Sequence, residues 1–182
     1  MESYFKRAVF DNFNKKVLPN KVLILLGARR VGKTELIKNY LKTVPAETYL
    51  QLNGEDINDA NLLQERSVVN YKRLLANIDL LVIDEAQTIP EIGLILKLIV
   101  DSIEGIKIIA TGSSVFDLNN TLGEPLVGRK NTMYLFPLAQ MEFSTQENYK
   151  QTTENLEERL LFGGYPELVH YEDWEEKKEY LY

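Results

Sequence analysis

Residues 22–34 read VLILLGARRVGKT, and this stretch decides the fold. VLILL (22–26) is an apolar run of strand length. GARRVGKT (27–34) matches the pattern G-x-x-x-x-G-K-[ST]. TELIKNYLKTV (34–44) follows with helical spacing and is stopped by Pro45. Strand, glycine-framed loop and helix in that order make a cradle for phosphate. Gly27 and Gly32 allow backbone conformations closed to other residues. The loop N–H groups then turn inward as an anion nest. The helix behind them aims the positive end of its dipole at the same point. In this setting Lys33 is expected to reach the β- and γ-phosphates, and the Thr34 hydroxyl to bind Mg²⁺. The expected nucleotide-contacting set is Gly27, Ala28, Arg29, Arg30, Val31, Gly32, Lys33, Thr34 and Glu35. Arg29 and Arg30 read as ion-paired or solvated, with a phosphate contact open to either.

Outward from the loop, short apolar runs alternate with longer helical patterns, the signature of a parallel α/β sheet. The spacing predicts a helix over 3–17 with Tyr4, Phe5, Val9, Phe10 and Phe13 on one face. It predicts strands at 48–52, 80–84, 106–111 and 132–136, and a helix over 60–77. Pro90 is placed in the first turn of the helix EIGLILKLIVDSI. Residues 113–122 read as one or two helical turns. Beyond residue 140 no good strand follows, and helical stretches flank a Gly163-Gly164 turn. The expected division is a core over 1–140 and a helical appendage over 141–182. The last residues, WEEKKEYLY, carry no helix stop signal, so a longer polypeptide is expected.

LLVIDEAQ (80–87) brings two acids to the end of a strand that is apolar throughout, as strands buried on both faces are. In an open parallel sheet, ligands sit outside the carboxyl ends of the strands. Asp84 is therefore expected to hold Mg²⁺ through its water shell. Glu85 is expected to accept a proton from an attacking water. That role favours a hydrolase over a small-molecule phosphotransferase. No N-K-x-D segment follows either Asn-Lys pair, at 14–15 or 20–21, so ATP is favoured over GTP. IIATGSS (108–114) ends its strand in small hydroxyl residues. Thr111 or Ser113 could meet the water or the γ-phosphate, and capping of a following helix explains them nearly as well. Arg129, in LVGRK (126–130), is a candidate stabiliser of transition-state charge. Whether it acts within its own chain or across to a neighbour stays open.

Composition excludes several chemistries. There is no cysteine among the 182 residues, which removes disulfides, thiolate metal sites and cysteine nucleophiles. The single histidine, His170, makes a Ser-His-Asp triad improbable and reads as a surface or interface residue. The N-terminus lacks the apolar core of a signal peptide. No apolar stretch nears the roughly 20 residues that span a bilayer. A cytoplasmic protein without membrane contact is expected, and the sequon at Asn119–Thr121 reads as accidental.

The net charge of −6 is uneven. Residues 1–40 carry nine Lys/Arg and three Asp/Glu, whereas residues 141–182 carry four and eleven. The basic end reads mainly as a solvated helix plus the phosphate loop. A nucleic-acid patch is the sharper but less favoured reading, since an acidic chain is a poor polyanion binder. The late aromatic residues Tyr165, Tyr171, Trp174, Tyr180 and Tyr182 sit among acids and read as a packing face.

GARRVGKT, LLVIDEAQTIPEIGLILKLIVD, KIIATGSS, LVGRK and FGGYPE, in this order, resemble the N-terminal ATPase domain of the AAA_14 group of AAA+-type ATPases, found in bacteria and archaea. The resemblance covers nearly the whole chain. It implies a P-loop three-layer αβα fold with a five-stranded parallel sheet of order 5-1-4-3-2 and a partial helical lid from residue 141. It carries Gly27, Gly32, Lys33 and Thr34 over as nucleotide site, and Asp84 and Glu85 as Mg²⁺ and water residues. Thr111 and Ser113 map to a sensor region and Arg129 to the Gly-Arg before the last core strand. Ala28 stands where many relatives have Pro, and Ala139-Gln140 where many have Ser-Phe.

These readings converge on an ATP-binding, Mg²⁺-dependent ATPase domain. Its nucleotide state would be coupled to a protein partner, to self-association or to a further domain. Two alternatives are a non-enzymatic nucleotide switch and a DNA-handling ATPase.

Overall fold

The structure, a computed structural model, describes residues 5–113 and 125–181. The expected turns at 113–122, the sequon, Tyr4 and Tyr182 lie outside the described residues, Ser113 excepted. Five strands form one parallel sheet: β1 (Lys21–Leu26), β2 (Tyr49–Asn53), β3 (Leu80–Asp84), β4 (Lys107–Gly112) and β5 (Lys130–Tyr134). Their order is β2-β3-β4-β1-β5, the order the resemblance implies. Val22 registers with Ile108 on one side and Lys130 on the other, so β1 is an interior strand beside the edge strand β5 and delivers Gly27 to the carboxyl edge of the sheet.

β1 is buried on both faces, and its side chains alternate between two cores. Val22, Ile24 and Leu26 face one layer, with Leu63, Tyr71, Ile92 and Ile95. Leu23 and Leu25 face the other, with Phe13, Leu36, Ile37 and Tyr40. Each such side chain fully buried contributes roughly 1.5–3 kcal/mol. The first layer comes from α3 (Ile57–Gln64), α4 (Val68–Leu74) and α5 (Ile92–Ser102); the second from α1 (Phe10–Lys16) and α2 (Lys33–Leu41).

Several expected boundaries move. The helix over 60–77 is two helices. Asp56 caps α3 by accepting from the Asn58 and Asp59 N–H groups, and Ser67 caps α4 by accepting from Asn70 N–H. The Ser67 cap, a local side-chain signal, divides one apolar period into two helices. The helix over 3–17 shrinks to Phe10–Lys16. Residues 5–8 instead alternate buried and exposed, with Phe5 and Arg7 inside. Pro90 precedes α5 rather than sitting in its first turn, because Glu91 takes a left-handed conformation at the N-cap. β5 begins two residues earlier than expected, since its register with β1 ends at Leu26↔Tyr134.

After β5 the described chain is helical: α6 (Gln140–Phe143), α7 (Tyr149–Glu154), α8 (Leu156–Phe162) and α9 (Trp174–Leu181). The Gly163-Gly164 pair is more than an interhelical turn. A Cβ on Gly164 would strike the Leu138 carbonyl, and Leu138 N–H donates to Gly164 O at 2.6 Å. Gly164 thus lets the backbone leaving α8 pack against residue 138, over the carboxyl edge of the sheet. Among the described residues no helix is long and apolar enough to cross a membrane.

Candidate functional site

The loop between β1 and α2 is shaped by close approach and by handedness. A Cβ on Gly27 would run into the Leu135 carbonyl and lie 3.0 Å from Val31 Cγ2. Gly32 has φ +93°, which a side chain would strain. Arg30 also takes a left-handed conformation, at φ +65°, without being glycine. Val31 is fully buried and holds the loop down from below.

Lys33 opens α2 and is only 5% exposed. Its Nζ donates to the Gly27 and Ala28 carbonyls at 2.8 and 3.0 Å. Burial pushes its pKa below the ordinary 10.5. The carboxylates of Glu85 and Asp84 oppose the shift, and Arg29 adds to it. The ammonium thus sits on the loop's own carbonyls, facing two acids.

Asp84 ends β3, and its carboxylate takes three donors. Thr34 Oγ1 donates to Oδ2 at 3.0 Å. Thr111 Oγ1 donates to Oδ1, and Glu85 N–H lies 3.2 Å from the same oxygen. Thr111 is fully buried, and its hydroxyl also accepts from Glu85 N–H at 3.1 Å. Its proton goes to Asp84, so Thr111 braces the acid.

Glu85 stands at φ +49°, an uncommon backbone region for a side-chain-bearing residue. Gly54 makes the room: a Cβ there would lie 2.5 Å from both Glu85 O and Thr88 Oγ1. Glu85 Oε2 accepts from Gln87 Nε2 at 2.6 Å. The same Nε2 lies 3.5 Å from Ser113 Oγ, a partner at the limit of hydrogen-bond distance. Gln87 was legible only as part of the DEAQ string; its partnership with Glu85 depends on the turn over Gly54.

A cleft of about 900 Å³ opens beside these residues. Arg29, Lys33, Thr34, Glu35 and Glu85 line it, together with Phe5, Leu138, Pro166, Glu167 and His170. His170 is exposed, as expected, yet it borders the cleft. Arg30 reaches out of the loop to α9: its guanidinium stacks 4.5 Å from the Tyr180 ring and lies 3.4 Å from the Tyr180 carbonyl. Tyr180 also packs against Tyr165 and Tyr171. Burial, with Glu167 beside it, pushes the Tyr180 hydroxyl up to about 12.

Arg129 is not brought to this site. It precedes β5 at the amino edge of the sheet, where its carbonyl accepts from Val22 N–H and its Nε pairs with Asp101 at 2.6 Å. A strand's length, about 20 Å, separates that edge from the loop. Arg129 and its own chain's loop thus stand at opposite edges of the sheet. Basic residues of the first forty also stand in separate places. Arg7 is buried, Arg29 and Arg30 stand at the carboxyl edge, and Lys21 reaches Gly128 at the amino edge.

The chain is similar to known proteins over most of its length. The family model described as an AAA domain matches residues 19–144. An uncharacterised protein of Methanocaldococcus jannaschii is 27% identical over an alignment covering 91% of this chain and 40% of that protein. The chain thus spans well under half the length of this curated relative. The crystal structure of the FIGL-1 AAA domain in complex with ADP superposes with a TM-score of 0.46 at 15% identity. That match covers 75% of this chain and 51% of the other. With the model matched from β1 through α6 and the five strands in the order found, the chain belongs to the AAA domain family.

Proposed function

We propose that the chain binds ATP with Mg²⁺ and hydrolyses it, and that its helical segment conveys the nucleotide state to a protein partner, a second copy or a further domain. Membership of an AAA family points to a nucleotide-binding ATPase domain. The observation that carries the finer reading is the Thr34–Asp84 contact at 3.0 Å beside Glu85, at the mouth of a glycine-framed loop. A hydroxyl and a carboxylate are oxygen donors of the kind Mg²⁺ takes when phosphates and water complete its shell. Thr34 and Asp84 would hold the ion, which when bound neutralises charge on the β- and γ-phosphates.

The chain's own residues do the rest. The N–H groups of residues 28–33 and Lys33 position the polyphosphate, Lys33 leaving the Gly27 and Ala28 carbonyls to do so. Glu85 orients the attacking water and accepts its proton. Gln87 holds the Glu85 carboxylate until that point, and Ser113 stands next to Gln87. Most of the rate then comes from fixed charges and dipoles. We take residues 1–140 as the ATPase core and residues 141–182 as a lid rooted in it, and we place the protein in the cytoplasm.

Steady-state hydrolysis tests the reading. Glu85→Gln should lose about 10²–10⁴ of the rate while binding ADP like the parent, and Lys33→Ala should lose binding. Equal, clearly nonzero turnover in Glu85→Gln removes Glu85 from its role. A second reading, a non-enzymatic switch, draws on the Arg30–Tyr180 contact, which links loop to α9 without any chemistry. Nucleotide that co-purifies unhydrolysed, with no turnover at high protein concentration, favours it.

A further inference from the structure

Arg7 lies outside the residues matched to the family and carries none of the motifs read from the sequence. It is nevertheless 6% exposed, and its guanidinium touches three separate segments. Nη1 donates to the Val31 carbonyl, within the phosphate loop, at 2.7 Å. Nη2 donates to the Phe136 carbonyl, just past β5, at 2.6 Å. Nε pairs with Glu142 Oε1, in α6, at 3.0 Å.

Glu142 is itself 4% exposed and fully used. Its Oε1 also accepts from Ala8 N–H at 2.7 Å, and its Oε2 from Ala139 N–H at 2.8 Å. Phe5 and Phe143 close the junction edge to face, 5.4 Å apart. The Arg7–Glu142 pair is buried, and both partners are hydrogen-bonded further, the condition under which a charged pair fixes geometry.

We propose that Arg7 is a positioning residue for the phosphate loop, an inference that rests on the loop's reading as a nucleotide site. A peptide unit is planar and trans, so the C=O of Val31 and the N–H of Gly32 point in opposite directions. Holding the Val31 oxygen therefore aims the Gly32 N–H, one donor of the nest that phosphate enters. Gly32 also lies against the guanidinium: a Cβ there would be 3.4 Å from Arg7 Nη1. A nest works only if its amides are aimed before the anion arrives. Arg7 supplies this by donating from a planar fork whose several N–H groups serve three acceptors at once. A lysine offers one centre in place of that fork. Glu142 fixes Arg7 in turn, so the first helix after β5 acts on the loop through two side chains.

The test is ADP binding to the full chain in Mg²⁺ by calorimetry, below the melting temperature of each variant. Arg7→Lys and Arg7→Ala should bind ADP about tenfold to a hundredfold more weakly than the parent. Glu142→Gln, which leaves Arg7 in place, should bind several-fold more weakly. Low-millimolar guanidinium should restore affinity to Arg7→Ala but not to Lys33→Ala. A strut with no effect on the loop would lower the melting temperature and leave the affinity of the folded protein intact. Folded Arg7→Lys or Glu142→Gln binding ADP within about twofold of the parent overturns the proposal, even if Arg7→Ala does not fold. A parent that binds no nucleotide defeats the reading of the site instead, which keeps the two failures apart.

Discussion

The Thr34 hydroxyl donates to Asp84 Oδ2 across 3.0 Å, joining the first turn of α2 to the end of β3. Nothing in local sequence couples these residues, which stand fifty positions apart. A helix of one layer and a strand two places away from β1 in the sheet bring them together, and the second Asp84 oxygen is already committed to Thr111 and Glu85 N–H. Thr34→Ala should therefore leave stability nearly unchanged, because Thr34 is exposed and Asp84 keeps its other donors. The variant should lose the difference between ATP affinity in Mg²⁺ and in chelator. Undiminished Mg²⁺ dependence would remove Thr34 from the ion's shell.

Lys33 predicts a proton-linked binding reaction. Burial lowers its pKa from 10.5 in the free folded chain, and a bound polyphosphate, being anionic, raises it again. Nucleotide binding should thus take up protons in the alkaline range below 10.5, and affinity should fall as pH rises through the folded value. The sign for stability is opposite. The unfolded chain holds more protons in that window, so Lys33's burial costs least as pH approaches 10.5. Calorimetry in two buffers of different ionisation heat measures the uptake; equal apparent enthalpies contradict it.

Gly164→Ala should be destabilising by about 1–3 kcal/mol. The added Cβ meets the Leu138 carbonyl oxygen and lies 3.2 and 3.3 Å from its carbon and nitrogen, all backbone atoms that cannot rotate away. Urea unfolding monitored by tryptophan fluorescence measures the loss. An unchanged midpoint would mean that residues 138 and 164 can separate without cost.

Arg129→Ala separates two geometries. Its ion pair with Asp101 is more than a third exposed on both sides and is worth at most about 1 kcal/mol. In dilute protein the variant should hydrolyse ATP at the parent's rate, since its own loop lies at the other sheet edge. If Arg129 serves a neighbouring chain, the parent's specific activity should rise with protein concentration and the variant's should not. A large loss in dilute solution would contradict the placement.

Much of the candidate site was legible because it is written in contiguous residues. GARRVGKT carries the loop's conformational needs in its glycines, and LLVIDE carries both acids at the end of a doubly buried strand. The strand order followed from resemblance rather than from periodicity. Illegible were the residues whose part depends on distant partners. Gln87 meets Glu85 because Gly54 leaves room for an unusual turn, and Arg7 counts only because Val31, Phe136 and Glu142 converge on it. Arg129 was a candidate stabiliser of charge from its neighbours in sequence, with action in its own chain or a neighbour's left open. Its position at the start of β5 set it on the edge away from its own loop.

The sequence by itself determined the alternation of strand and helix, the glycine-framed loop and the two acids at the end of β3, since hydrophobic period, glycine handedness and local charge act over a few residues. Only the tertiary structure decided which hydroxyl braces Asp84, where Arg129 stands and what holds the loop in shape. A hydrogen bond is set by distances of about 3 Å between groups tens of residues apart, and chain packing alone fixes those distances.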